Sequence, residues 1–356
     1  MASGTLVAFF VKTGTNNRAD SPILMAPVGV QAAYHSDGEK GLATACASLG
    51  VPYIYSTAAC TTIEEVAVAA DGAISGTNTS NSSSSKDANP AQAPRWFQLY
   101  WPKDDEITAS LLARARAAGC HALVVTLDTF TMAWRPLDLD AGYLPFAVGE
   151  GNALGLSDPA FRAKFAEVSG GGTVEDNVLA ASRLWAADVF SGYAHTWEEL
   201  ATLRRLWGDG PIVLKGVLSV EDAVLAVEHG MDGIVVSNHG GRQLDGAVPS
   251  LEMLPEIVDA VGDKLTVLFD SGIRTGSDIM KALALGAKAV LVGRPVIYGL
   301  GAAGSEGARH VLAGLLADVD QSMGLVCAFC CKALFSSLTM LVRPECRTWP
   351  SWIGAS

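Results

Sequence analysis

The chain has 356 residues, of which 49% are apolar and only 17% charged, with a formal net charge of −12. That length suits one large domain or two ordinary ones, and the apolar share suits continuous buried strands rather than a disordered chain. The acidic balance argues against nucleic acid or an anionic membrane as a general partner.

Residues 1–20 (M-A-S-G-T-L-V-A-F-F-V-K and onward) form an atypical N-terminal segment with one short apolar run and no basic leader, too little for a secretory signal. From residue 21 to 325, eight apolar, β-branched runs can be read, at 23–26, 53–57, 97–100, 122–127, 212–217, 233–237, 266–270 and 289–293. Helix-like segments separate them. Ser36-Asp37-Gly38-Glu39 has the form of a capping box opening a helix that stops near Gly50, and Thr61 with Glu64 repeats the device. Residues 105–118 place Ile107, Leu111, Leu112 and Ala115 on one face and stop at Gly119. Ser219 with Asp222, and Thr275 with Asp278, open two more helices, closed by Gly230 and Gly286. Strict β-then-α alternation implies parallel strands with right-handed crossovers, and eight of them favour closure into a TIM (β/α)8 barrel.

Two connections are abnormal. Residues 75–93 are polar and of low complexity, the composition of a mobile loop. Residues 129–211, between strands four and five, are far longer than a simple βα unit needs. Such a length suggests a lid or a substrate-shaping subdomain, with contacts in a homo-oligomer as the competing role. The tail, 326–356, is apolar and holds Cys327, Cys330, Cys331 and Cys346, with neither metal-ligand spacing nor an even disulfide framework. No metal site is expected. A reducing, cytoplasmic setting is, since the final G-A-S is not a peroxisomal address and no run convincingly spans a membrane.

The chemistry is written at the strand ends, which gather on one rim of such a barrel. Residues two apart share a face of a strand, so Gln98 with Tyr100, Thr126 with Asp128, and Ser237 with His239 point together toward the barrel mouth. Polar groups are costly to bury without partners, and three such pairs plus Lys215 and Asp270 exceed what a satisfied core needs. His239, in S-N-H-G-G-R-Q, is suited to acid–base work, and Asp128 could orient it. Arg135 and Arg242 are candidates to grip a carboxylate through forked bonds. Lys215 could be a Schiff-base nucleophile or a fixed positive charge, and the residues alone leave both open. The loops D-S-G-I-R-T-G (270–276) and V-G-R-P (292–295), with Gly272, Arg274, Gly293 and Arg294, match the usual phosphate site of these barrels.

S-N-H-G-G-R-Q, F-D-S-G-I-R-T-G-S-D-I-M-K-A-L-A-L-G-A and V-G-R-P resemble the FMN-dependent 2-hydroxy-acid oxidizing family of glycolate oxidase, lactate oxidase and the flavin domain of flavocytochrome b2. L-M-A-P-V-G-V-Q, F-Q-L-Y, T-L-D-T and L-K-G-V are similar to its other signatures. T-L-D-T-F-T-M-A-W-R-P-L-D-L with S-D-P-A-F-R looks most like the lactate 2-monooxygenase branch and its fungal relatives. The resemblance implies FMN as cofactor, with Pro27, Val28 and Gly29 along the flavin edge. Ser56, Gln98 and Thr126 would bond the isoalloxazine and ribityl parts, with Ser237 nearby. It puts Lys215 at the N1–C2 carbonyl edge as a fixed charge, and gives the ribityl chain and phosphate to Asp270, Gly272, Arg274, Gly293 and Arg294. His239 would be the base, oriented by Asp128, while Tyr100, Arg135 and Arg242 would receive the substrate. The expected reaction is oxidation of an L-2-hydroxy acid, lactate-like, to the 2-oxo acid, with O2 as acceptor and release or oxidative decarboxylation of the product. Ala58 stands where some relatives carry a bulky aromatic, which implies a roomier pocket. Both ends depart from the family pattern, and no tyrosine precedes Ser21. That departure sets a second reading beside the first: a catalytically impaired barrel acting as a binding or regulatory subunit.

Overall fold

A computed structural model of the chain describes residues 21–77 and 92–326. The N-terminal segment, most of the low-complexity stretch and the four tail cysteines lie outside the described residues. Its centre is a closed barrel of eight parallel strands in sequential order: β1 (Ile23–Met25), β2 (Tyr53–Ser56), β3 (Arg95–Leu99), β4 (Leu123–Thr126), β5 (Ile212–Val217), β6 (Gly233–Val236), β7 (Thr266–Phe269) and β8 (Ala289–Val292). Sequential order with β1 paired to β8 is the topology that the strict alternation predicts.

Side-chain alternation along each strand divides the core in two. Leu24, Ile54, Trp96, Val124, Val213, Val235, Leu268 and Leu291 fill the barrel interior, while their neighbours Ile23, Tyr55, Phe97, Val125, Leu214, Ile234, Val267 and Val290 face the surrounding helices. Two residues beyond each interior position come Ala26, Ser56, Gln98, Thr126, Lys215, Ser237, Asp270 and Gly293. The period of two therefore carries the chain from an apolar interior to a polar rim in one step.

The outer helices include α1 (Gly38–Leu49), α2 (Ile63–Thr77) and α3 (Asp105–Ala117), with Ile107, Leu111, Leu112 and Ala115 buried as their spacing requires. The low-complexity loop begins later than its composition implied, because residues 75–77 complete α2. Two capping devices differ from expectation. At α2 the reciprocal bonds run between Thr62 and Glu65 rather than Thr61 and Glu64. At α1 no side chain caps the helix, and Glu39 turns inward, fully buried. Its carboxylate accepts from the Gln31 amide (3.1 Å), the Cys60 amide (2.9 Å) and the Thr61 hydroxyl (3.0 Å), tying the loop after β1 to the loop after β2. Replacing it, Glu39→Ala, would strand three donors, so we expect a loss of about 3 kcal/mol or more in denaturant unfolding. Glu39→Gln, which keeps an acceptor oxygen, should lose less; an alanine variant as stable as the parent would contradict this role.

The long connection is built of α4 (Pro136–Asp140), α5 (Ala153–Leu156), α6 (Pro159–Val168), α7 (Val178–Val189) and α8 (Leu200–Trp207). Its later part is packed on the barrel wall. The fully buried Asp158 caps α6 and accepts from Ser110 (2.9 Å) and Arg114 (3.1 Å) on α3. Residues around 130–148 keep an exposed face and border the barrel mouth. The remaining helices are α9 (Val220–Glu228), α10 (Ser250–Val261), α11 (Gly276–Ala284), which has the expected Thr275–Asp278 capping box, and α12 (Arg294–Leu325), kinked at Ala303–Gly304. Among the described residues no helix is long and apolar enough to cross a membrane.

Candidate active site

A cleft of about 840 Å³ opens at the C-terminal ends of the strands. Pro27, Val28, Gly29, Tyr100, Arg135, Lys215, His239, Arg242, Asp270, Gly272, Arg274, Gly293 and Arg294 line it. Ser56, Gln98, Thr126 and Ser237 are buried just beneath as its floor. The Gln98 amide knits that floor together: its oxygen accepts from the Ser56 hydroxyl and the Thr57 amide, both at 3.1 Å, and its nitrogen donates to Thr126 Oγ1 at 3.0 Å. One amide N–H and the Thr126 hydroxyl proton are left for a ligand above.

His239 follows β6 with φ of +57°, a left-handed conformation uncommon outside glycine. Its amide donates to Ser237 Oγ at 3.0 Å, and its Nδ1 lies 2.8 Å from Asp128 Oδ1 and 3.3 Å from Thr129 Oγ1. An ionised carboxylate can only accept, so Nδ1 carries the proton and Nε2 holds the free lone pair. Burial and the Lys215 charge push the His239 pKa below the ordinary imidazole value, outweighing Asp128's opposite pull. Asp128 is pushed up by burial, but the His239 hydrogen bond and the Lys215 charge prevail and hold it below the usual carboxylate range. The resting pair is thus neutral imidazole beside carboxylate.

Lys215 sits inside the rim, 4% exposed, donating to Ser237 Oγ at 3.0 Å with Asp270 Oδ2 at 3.3 Å. Burial pulls its pKa down, yet Asp270 and Asp128 raise it further, so it remains an ammonium. An ammonium so held has no lone pair for Schiff-base attack, which favours the fixed-charge role. The Tyr100 phenol is pushed up to about 12 by burial and stays a hydroxyl donor.

Arg135 is held by one backbone and one side-chain acceptor: its Nε donates to Arg242 O at 2.9 Å and its Nη2 to Gln243 Oε1 at 2.7 Å. Burial and the like charge of Arg242 both lower its pKa. Two guanidiniums brought together in one cleft wall make an anion site. Across the mouth, Arg294 Nη1 donates to Gly240 O at 2.9 Å, and Arg274 bonds the carbonyl of its neighbour Ile273. Arg294 opens α12, whose N-terminus no side chain caps. A helix N-terminus beside two arginines is a fitting place for a phosphate.

Several supporting residues escaped the strand-end logic. Gln243 donates to the backbone carbonyl of Asp128 at 2.6 Å and so connects Arg135 to the backbone of the residue whose carboxylate stands behind His239. The Thr129 hydroxyl donates to Asp128 Oδ1 at 2.9 Å, and Ser271 Oγ accepts from the Gly240 amide. Gly216 makes a bulge between Lys215 and Val217, at φ +103°; a Cβ there would meet Asp128 Oδ2 at 2.9 Å. Gln243 and Thr129 stood inside the quoted motifs, but the two-residue period passes over them because they lie on turns. Ala58 lines the cleft, and its methyl lies so close to Gly29 that a Cβ on Gly29 would come within 2.7 Å of it.

A closed (β/α)8 barrel with a charged cleft at the C-terminal ends of its strands is the architecture of a barrel enzyme. The chain belongs to the FMN-dependent dehydrogenase family, whose model matches residues 13–339. It is 53% identical over 305 residues to the FMN-dependent alpha-hydroxy acid dehydrogenase qulF of Penicillium citrinum, covering 86% of this chain and 70% of that protein. It is 39% identical over 305 residues to an L-lactate oxidase of Lysinibacillus sphaericus, covering 86% and 71%. A crystal structure of mandelate oxidase superposes with a TM-score of 0.66 at 40% identity, covering 87% of this chain and 76% of that one. The cofactor is FMN, and the activity is FMN-dependent oxidation of an α-hydroxy acid.

Proposed function

We propose that the protein oxidises an L-2-hydroxy acid of the lactate type to the 2-oxo acid with O2 as acceptor, and that His239 is the base. The observation that carries this reading is the His239 imidazole, fixed through Nδ1 to Asp128 at 2.8 Å, in the same cleft as Arg135 and Arg242. The residues present fit FMN: a buried ammonium, a polar floor with unspent donors, and an uncapped helix N-terminus flanked by two arginines. Pro27, Val28, Gly29, Ser56, Gln98, Thr126, Lys215 and Ser237 would hold its ring end, and Asp270, Gly272, Arg274, Gly293 and Arg294 its ribityl chain and phosphate. Bound there, FMN supplies the two-electron acceptor that the amino acids lack.

The chain's own part is to bind, orient and move protons. Arg135 and Arg242 hold the substrate carboxylate, and Tyr100 contributes a hydroxyl donor beside it. His239 Nε2 takes a proton from the bound hydroxy acid, and Asp128 stabilises the imidazolium that forms. The reaction balances as loss of two protons and two electrons from the hydroxy acid and reduction of O2 to hydrogen peroxide. The L-lactate oxidase relative supports oxygen as acceptor. If peroxide and oxo acid meet before release, the products become carbon dioxide, water and the shortened acid. The border formed by residues 130–148 favours such retention.

The test is an anaerobic screen of absorbance bleaching over glycolate, L-lactate and longer or aromatic 2-hydroxy acids, followed by product analysis after oxygen is admitted. Bleaching by L-lactate with pyruvate and peroxide supports the oxidase; acetate and carbon dioxide support the monooxygenase branch. An FMN-loaded protein that no 2-hydroxy acid bleaches would instead support the impaired barrel.

A further inference from the structure

Asp138 lines the same cleft as the arginine pair. It stands on α4, three residues beyond Arg135, and one oxygen, Oδ2, lies 3.8 Å from Arg135 Nη1 and 3.7 Å from Arg242 Nη2. A single carboxylate oxygen thus faces both guanidiniums without closing to hydrogen-bond length on either. It does not hold Arg135 in place, because that side chain is already fixed by Arg242 O and Gln243 Oε1. What it contributes is charge: Arg242 opposes the ionisation of Arg135, and Asp138 favours it.

We propose that Asp138 is a built-in counter-ion of the substrate-anion site, offsetting part of the arginine pair's charge until an incoming carboxylate displaces it, and so setting the cleft's affinity and selectivity for anions. This rests on the reading of Arg135 and Arg242 as the groups that receive the substrate carboxylate. The geometry permits displacement. Asp138 is one-third exposed, on a five-residue helix with no buried residue, so it can turn into solvent with little loss of packing. The sign of the effect follows from electrostatics. Without Asp138 the two like charges repel unrelieved, and a ligand carboxylate gains all of that relief instead of part of it.

The experiment uses the FMN-loaded full chain and oxalate, which presents a carboxylate with a neighbouring oxygen but has no C–H bond to oxidise. Titration calorimetry gives its affinity for the parent, Asp138→Asn and Arg242→Met, with FMN absorbance and melting temperature checking that each variant is folded. Asp138→Asn should bind oxalate about tenfold more tightly, a change of about 1.4 kcal/mol. The gain should shrink as salt rises, and uncharged oxamide should show none. Asp138→Ala, which keeps no polar group at that place, should show the same gain. Equal or weaker oxalate binding in both Asp138 variants, with binding weakened in Arg242→Met, would overturn the counter-ion role and leave Asp138 as a support for the arginines. Unchanged binding in Arg242→Met would instead remove the arginine-pair reading itself, and the inference with it.

Discussion

His239→Gln should cut turnover by about 10²- to 10⁴-fold, the usual contribution of a positioned base, while FMN stays bound. Glutamine is close to imidazole in length and can still donate to Asp128, so the cleft and its floor should keep their shape. What it cannot do is accept and hold a proton at the Nε2 position. Stopped-flow bleaching with the preferred hydroxy acid separates the two effects, since cofactor content is read from the starting absorbance. Turnover at the parental rate in this variant would take the base role from His239. The pH profile gives a second check on the same residue. The folded His239 pKa lies below 6.5, so the proton-accepting form is already dominant at neutral pH. We therefore expect kcat/KM to be flat above about pH 6.5 and to fall only below it. The linkage has the same sign: a histidine whose folded pKa is depressed contributes stability that is present above its unfolded value and lost as pH falls toward the folded one. Asp128, also depressed, follows at still lower pH, below about 3.8.

Most of the barrel and the floor of the cleft could be read from the sequence because both obey short periods. Parallel strands buried on two faces appear as apolar runs, and the interior residues Ile54, Trp96, Val124 and Val235 are followed two residues later by the polar Ser56, Gln98, Thr126 and Ser237. The one strand start misjudged by two residues shows where this fails. β3 begins at Arg95, a charge that strand patterning rejects; it is buried only because its guanidinium reaches Asp71 and Ala67 O on a neighbouring helix. Glu39 failed for the complementary reason. Its spacing from Ser36 satisfies a local capping rule, but three donors brought from other loops compete for the carboxylate and win. The same holds for Gln243, Gly216 and Asp138. Each acts across 85 or more residues, on a turn, a bulge or a short helix, or against a partner in a different loop, and no repeat within the local sequence marks them. Periodicity located the rim; only tertiary proximity shows how its charges are paired.

Those pairings make Lys215 the second point at which a single change should have a large effect. It is 4% exposed, and its neighbours Asp270 and Ser237 depend on it as ion-pair partner and donor. Removing one member of a buried pair leaves the other charge in a poor solvent, at a cost of about 3–5 kcal/mol. Lys215→Met should therefore lower stability by about that amount and purify with little FMN. Both effects have one origin, because the same ammonium balances Asp270 below and would face the cofactor above. Pairing it with Asp270→Asn separates them. In the double variant no carboxylate is stranded, so stability should recover in part, a coupling that a double-mutant cycle measures directly. FMN retention should not recover, since the positive charge is still missing. Parental stability and parental FMN content in Lys215→Met would mean that water reaches Asp270 and that the rim does not rely on this charge. Recovery of FMN binding in the double variant would mean that the cofactor responds to net neutrality at the rim, and not to an ammonium at this one position.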